Sequence, residues 1–467
     1  MLTLRKTWRG AALAALLTFC CGTLAPSHAQ AFFFGGVTLK DEKEMGRKFD
    51  AMVRSRMPVI DDPEVSQYVN GIVQRLVRAI PPQPFTFSTG TILYNALNAF
   101  AVPGGYVYVF SGLIMQLDNE SELAGVMAHE LAHVTQRHVA ARLERGQFVS
   151  VGSLLLAVAG IALGGPGGAA AIGAMGAGQA AMLNYSRADE TEADLIGLQY
   201  LVAAGYPPSG MTGGFKVLRQ KSWMSGVSVP IYLSTHPDLG DRINALQARI
   251  SHMPAAVRGR AVDSGRFRRV QTLLWARYGD EQAALQRFSG NDALSLMGRA
   301  IVLARRNNIP GAARAFEAAV TAMPGDALIL REAGAFHYRK GDIVKAETLL
   351  REAIRRDPHD YMALFFFARL LDESGRAAQA APYYADVLRR LPEDAEVHEA
   401  YARSLGGNGR TADAYRHLTY SAIYANRRKQ AERYFQQAKE RASTDAEKRA
   451  FARLETVYKE RKELWDK

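Results

Sequence analysis

Residues 122–133 run Glu-Leu-Ala-Gly-Val-Met-Ala-His-Glu-Leu-Ala-His. The stretch has no proline and is dominated by apolar and small residues, which predicts a helix. Within it, His129-Glu130-Leu131-Ala132-His133 puts two histidines four positions apart. That spacing places both imidazoles on one helical face, where they can reach a single zinc ion, Zn2+. Glu130 lies beside them and can take a proton from water on that ion, whose pKa zinc lowers to about 7.

Tetrahedral zinc at a catalytic site needs a third protein ligand and one open position. The chain has two cysteines, Cys20 and Cys21, both inside an N-terminal segment expected to be removed, so thiolate ligands are set aside. The best remaining source is Ser186-Arg187-Ala188-Asp189-Glu190-Thr191-Glu192-Ala193-Asp194. Glu190 and Asp194 share a helical face. Glu190 can ligate zinc, and Asp194 can hold the other ring nitrogen of a ligand histidine. Glu192 is the rival ligand, and an acidic run of this kind is ordinarily a solvated helix face. Ala193 and Gly197 are small enough to let this helix approach another closely.

The two motifs together resemble the gluzincin peptidases of the HtpX, Oma and CaaX-protease kind. They are most similar to the BepA-type periplasmic peptidases, which order a signal peptide, this catalytic domain and tetratricopeptide (TPR) repeats in the same way. The resemblance implies that His129, His133 and Glu190 hold one zinc per chain. It also implies a periplasmic peptidase acting on unfolded or stalled envelope proteins, docked through its repeats on the outer-membrane assembly machinery. A second reading makes the chain a TPR chaperone or adaptor with latent or occasional proteolysis.

Two more segments match the resemblance. Phe100–Val102 and Tyr106–Phe110 read as strands around the turn Pro103-Gly104-Gly105. Residues Asn98, Ala99, Phe100, Ala101 and Val102 are then a strand edge that holds substrate backbone by β-augmentation, or else an ordinary core hairpin. In Ser234-Thr235-His236-Pro237, with Arg242 following, the resemblance puts His236 near the metal. There it stabilises the oxyanion of the tetrahedral intermediate with help from Arg242, or it caps the zinc and keeps the enzyme latent. The plain alternative is a loop histidine. His138 stands at i+5 from His133, off the ligand face.

The chain has 467 residues, 48% hydrophobic and 22% charged, with a net charge of +12. These values fit a globular protein of two or three domains. Residues 1–29 have a secretory signal layout: basic Arg5, Lys6 and Arg9, the apolar run Ala11–Phe19, then Ser27-His28-Ala29. An uncleaved anchor and a lipoprotein are the weaker options. Cleavage brings the charge near +9, from +12 less three basic residues, enough for mild attraction to an anionic surface. No nucleic-acid module of a recognised kind appears.

The fold class expected is mostly α: an α+β zincin-type peptidase domain over 30–255, then an all-α TPR solenoid over 256–467. A charge-free, glycine-rich island at 146–186 interrupts the first domain. It reads as a buried hairpin, or as a lid or membrane-surface element; each half is too short to span a bilayer comfortably. The repeats announce themselves by Pro324, Pro358 and Pro392 at intervals of 34. Small residues recur at Gly334, Ala368 and Ala402, turn glycines at Gly341, Gly375 and Gly409, and second-helix alanines at Ala312, Ala346, Ala380 and Ala414. Phe316, Leu350, Tyr384 and Leu418 follow as groove fillers.

Overall fold

The computed structural model describes residues 36–60, 62–144, 185–224, 231–261 and 264–465. The expected signal segment, and all of the 146–186 island except Tyr185 and Ser186, lie outside the described residues.

Helix α1 (Leu39–Arg56) starts at a reciprocal cap between Thr38 and Asp41, and α2 (Pro63–Val77) at Asp62, whose carboxylate accepts the Glu64 and Val65 amides. Three short strands follow: β1 (Ser88–Ile92), β2 (Ala99–Val102) and β3 (Tyr106–Phe110). Their order is β1-β3-β2, with β3 parallel to β1 and antiparallel to β2. The Pro-Gly-Gly turn closes the β2–β3 hairpin, with Gly104 and Gly105 at φ +84° and +94°, conformations that side chains resist. Val107 to Phe110 are buried, so β3 is the middle of the sheet in burial as well as in order.

After α3 (Ser111–Gln116) comes α4 (Glu120–Thr135), the helix of the His-Glu-x-x-His motif, capped by Asn119. Every residue of α4 from Ser121 to Val134 is buried. Leu123, Val126, Met127 and Leu131 have no exposed surface, and each contributes roughly 1.5–3 kcal/mol by burial. Short α5 (His138–Glu144) ends this part of the described chain.

The helix α6 (Arg187–Ala203) opens on a second reciprocal cap, Ser186 with Asp189, and α7 (Ser209–Met224) follows. These two helices grip α4 through glycine. A Cβ on Gly197 of α6 would lie 3.0 Å from the Ala128 carbonyl oxygen and the His129 backbone. A Cβ on Gly125 would lie 2.5 Å from the Met211 backbone on α7. Gly197, expected to permit close approach, does so. Helices α8 (Ile231–Thr235), α9 (Leu239–Ser251) and α10 (Ala255–Arg258) complete the peptidase half. Among the described residues, no helix is long and apolar enough to cross a membrane.

From Gly265 onward the chain is a stack of helical hairpins, as the 34-residue period predicts. They are α11 (Gly265–Tyr278) with α12 (Glu281–Arg287), α13 (Ala293–Arg305) with α14 (Ile309–Ala322), and α15 (Ala327–Arg339) with α16 (Ile343–Arg356). Then come α17 (Tyr361–Glu373) with α18 (Ala377–Arg390), α19 (Ala395–Gly407) with α20 (Thr411–Tyr424), and α21 (Arg428–Arg441) with the polar α22 (Asp445–Trp465). Asp292, Asp326, Asp360 and Asp394 cap successive first helices, each accepting an amide three residues on. The second-helix alanines are buried. Leu418 departs from its expected role: it is only half-buried, and α20 instead buries His417 and Thr419 on either side of it.

The first repeat helix belongs physically to the peptidase core. Phe267, Val270 and Leu274 of α11 pack into the same apolar cluster as Leu113, Met127 and Phe215. Gln271 Nε2 donates to the carbonyls of Ile114 and Leu117 at 3.1 and 2.8 Å, and Trp275 Nε1 donates to that of Met115 at 3.0 Å. Ion pairs extend the contact. Arg277 joins Asp62 and Glu332, while Arg331 joins Glu64 at 2.6 Å and Asp360 at 3.1 Å.

Candidate metal centre

Helix α4 points His129 and His133 to one side, and α6, held against it at Gly197, points Glu190 at them. The segment after α8 delivers His236. All four side chains are buried, and one donor atom from each lies within 4.8 Å of the others. His129 Nε2 is 3.1 Å from His133 Nε2, 3.3 Å from His236 Nδ1 and 3.5 Å from Glu190 Oε2. Glu190 Oε1 is 3.5 Å from His133 Nε2 and 2.9 Å from His236 Nδ1.

Zinc holds imidazole nitrogen at about 2.0–2.1 Å, so the edges of its tetrahedron measure about 3.3–3.4 Å. The observed spacings cluster around that value, and the donor set is the nitrogen-and-carboxylate kind that zinc accepts. These residues therefore fit a zinc ion.

Glu130 sits one position from His129 yet ligates nothing in this set. Its Oε1 is buried with no hydrogen-bond partner, 3.6 Å from His236 Nε2. Burial raises its pKa, a shift that the charges on His236 and His129 only partly offset. A buried carboxylate with a spare lone pair and a raised pKa is the kind of group that takes and returns a proton.

The supporting residues divide the acidic run between them. Asp189 caps α6. Asp194 Oδ1 is 3.0 Å from His129 Nδ1, and Arg242 grips the same carboxylate through Nε at 2.8 Å and Nη2 at 2.7 Å. Arg242 also pairs with Glu190 and lies over the Phe215 ring, 4.9 Å from its centre. Glu192 stands apart from the donor set. Its side chain is 54% exposed, and it reaches His138 Nε2 at 3.2 Å.

Electrostatics follow from burial and these partners. Burial opposes charge on His129, but Asp194 and Glu190 overcome it and raise its pKa to about 9. His133 is pushed well below the usual range, chiefly by burial. Glu190 resists its own burial because His236, His129 and His133 hold it ionised, well below the usual carboxylate range. Asp194 is lowered in the same way: Arg242 and His129 outweigh its burial.

Two residues near the centre, Tyr185 and Tyr232, escaped the sequence reading, as did the contact made by a third, His138. Tyr185 stacks on His133 with ring centres 3.9 Å apart, and Tyr232 stacks on His236 at 4.3 Å. His138 is no member of the donor set, in keeping with its i+5 spacing, yet its Nδ1 lies 2.8 Å from His133 Nδ1. An i+5 side chain stays away from His133 only while the helix runs on unbroken. In fact α4 ends at Thr135, and Arg137 adopts φ +56°, which swings His138 back beside His133. No motif marks that turn.

The strand β2 lies at the sheet edge, packed on α4. Ala101, Val102 and His133 border one small cavity of about 10 Å3, room for a single water. Asn98 and Ala99 are buried, the Asn98 carbonyl accepts the Phe110 amide, and Phe100 stacks on Tyr108.

Residues 63–250 match the model of peptidase family M48, and residues 297–361 and 337–404 match tetratricopeptide repeat models. The chain thus carries an M48 metallopeptidase domain followed by TPR repeats. Among its relatives, the "Putative beta-barrel assembly-enhancing protease" of Vibrio cholerae is 36% identical over 269 residues, which cover 55% of this chain and 54% of that one. The "Beta-barrel assembly-enhancing protease" of Escherichia coli K12 is 32% identical over 317 residues, covering 63% of this chain and 62% of that one. The "Mitochondrial metalloendopeptidase OMA1" of Schizosaccharomyces pombe is 29% identical over 218 residues, covering 46% and 62%. The matched stretch therefore spans between 54% and 62% of the length of these relatives.

Proposed function

We propose that this chain is an exported zinc metalloendopeptidase that cleaves unfolded or stalled envelope proteins in the periplasm. The observation that carries the reading is the tetrahedral spacing of His129, His133, Glu190 and His236, with the unpartnered Glu130 oxygen beside it. The names of the bacterial relatives support the pathway.

In this reading His129, His133 and Glu190 are the resident ligands. Bound zinc would supply Lewis-acid polarisation of the scissile carbonyl and acidify the attacking water. Glu130 accepts that water's proton at Oε1 and passes it to the leaving amine. Asp194 fixes the His129 ring, and Arg242 holds Asp194 and Glu190 in place. Residues Asn98 to Val102, at the sheet edge beside His133, are the stretch along which substrate backbone would pair. The repeats, with limits proposed at 256–467, would dock on the outer-membrane assembly machinery, and contact with the membrane surface would be peripheral.

His236 is better read as a cap than as an oxyanion donor. Its Nδ1 takes the fourth corner of the donor set, the corner a catalytic site leaves open for water. Such a site is latent until His236 moves.

The test is metal analysis of the purified protein together with turnover of an unfolded client. Zinc near one per chain, and loss of cleavage in Glu130→Gln by about 10²- to 10⁴-fold with zinc retained, are expected. Unchanged client turnover by Glu130→Gln would sink the peptidase reading and leave the chaperone role. Under the cap reading His236→Ala cleaves faster than wild type; slower cleavage would make His236 a catalytic group.

A further inference from the structure

The two ligand histidines are held from behind in different ways. His129 Nδ1 faces a carboxylate, Asp194, directly. His133 Nδ1 faces another histidine, and the protons on that contact can be placed. His133 turns Nε2 toward His129 and Glu190, so Nε2 is the nitrogen that must offer a lone pair. A neutral His133 then carries its proton on Nδ1. That proton points at His138 Nδ1, 2.8 Å away, which must accept. The neutral His138 consequently bears its own proton on Nε2, where the Glu192 carboxylate lies at 3.2 Å. Each N–H in the chain His133, His138, Glu192 meets one acceptor, and no proton is left over.

Burial makes the arrangement matter. His133 is 1% exposed and His138 4% exposed, so water cannot readily replace His138 as the acceptor. Glu190, Glu192 and Asp194 all come from α6. One helix therefore supplies a candidate ligand and the outer anchor of both ligand histidines.

We propose that His138, oriented by Glu192, is the positioning residue for His133: it selects the His133 tautomer whose Nε2 is free to bind metal. The proposal rests on the zinc reading above. Removing an outer partner of a ligand histidine typically costs about 10- to 100-fold in metal affinity. Asn in place of His138 puts an amide oxygen near the position of the lost Nδ1, so it restores an acceptor, while Leu restores only bulk.

The experiment measures zinc affinity of the full chain by competition with a chromophoric chelator, alongside the visible absorption of the cobalt(II)-loaded protein and the melting temperature of the metal-free protein. His138→Leu should lose about 10- to 100-fold in zinc affinity and alter the cobalt spectrum, with the metal-free melting temperature held. His138→Asn should recover most of the affinity. Glu192→Ala removes the exposed acceptor of His138 Nε2 and should lose about two- to fivefold; it carries the test if His138→Leu does not fold, and unchanged affinity there would then overturn the proposal. His138→Leu binding zinc within twofold of wild type also overturns it, as does equal loss in His138→Leu and His138→Asn. If wild type itself takes up no zinc, the metal reading fails and this inference falls with it.

Discussion

Gly197 and His129 are in contact through their backbones. A Cβ built on Gly197 would stand 3.0 Å from both the Cα and the amide nitrogen of His129. The position of the first candidate ligand is thus set by the lack of a side chain on the neighbouring helix. Gly197→Ala would gain about 1 kcal/mol of helix propensity and lose about 1–3 kcal/mol to overpacking. Overpacking wins, because the opposing atoms are backbone and cannot rotate away. The variant should melt earlier and bind zinc more weakly, and Gly125→Ala, facing the Met211 backbone at 2.5 Å, should be worse. A Gly197→Ala protein with wild-type stability and affinity would refute this.

Arg242 is buried at 7% exposure and pairs with both Asp194 and Glu190. Arg242→Leu leaves two buried carboxylates short of a counter-charge. Breaking a buried pair in this way costs about 3–5 kcal/mol. Arg242→Lys keeps the charge but not the two-pronged grip on Asp194, so it should fall between. Denaturant unfolding of the three proteins gives the order; a Leu variant as stable as wild type contradicts it.

Acid should loosen the junction between the halves through Glu332. Its burial opposes ionisation, but Arg277 and Arg331 prevail and lower its pKa from 4.5 to about 2. A carboxylate with a depressed folded-state pKa stabilises fully above its unfolded value, and that contribution drains away as pH falls through the folded one. The window is therefore pH 4.5 down to about 2. Stability measured across it should fall more steeply in wild type than in Glu332→Gln. Parallel slopes would remove Glu332 from the account.

The repeat turns offer a test of backbone strain alone. Gly375 has φ +74° and open space where a Cβ would go, so Gly375→Ala should cost about 1–2 kcal/mol from conformation only. Two registers earlier on the same period, at Asn307, the chain takes φ +58° with a side chain in place. Asparagine tolerates this region, so Asn307→Gly should change the melting temperature little. Equal effects from the two substitutions would argue against strain as the cause.

What the sequence disclosed depended on how local the signal was. His129, His133, Glu190 and Asp194 could be read because residues four apart on a helix share a face. The repeats could be read because their packing positions return every 34 residues. His138 could not, since its role depends on a left-handed residue at Arg137 that breaks the helix. The other jobs in the acidic run, Asp189 as cap and Glu192 as partner of His138, were equally hidden, because each is set by what lies across from it. The parallel pairing of β1 with β3 and the docking of α11 on the peptidase are contacts between distant segments with no motif of their own.

The packing of α11 also bears on how the molecule comes to be made. Phe267, Val270 and Leu274 fill the peptidase core, and Gln271 ties off carbonyls at the end of α3. A nascent chain that has released only residues up to 255 lacks the side chains that fill that core. The catalytic half therefore matures only once α11 has emerged behind it. A fragment designed to isolate the peptidase should keep α11, Gly265–Tyr278, and not be cut between the two sequence-defined halves.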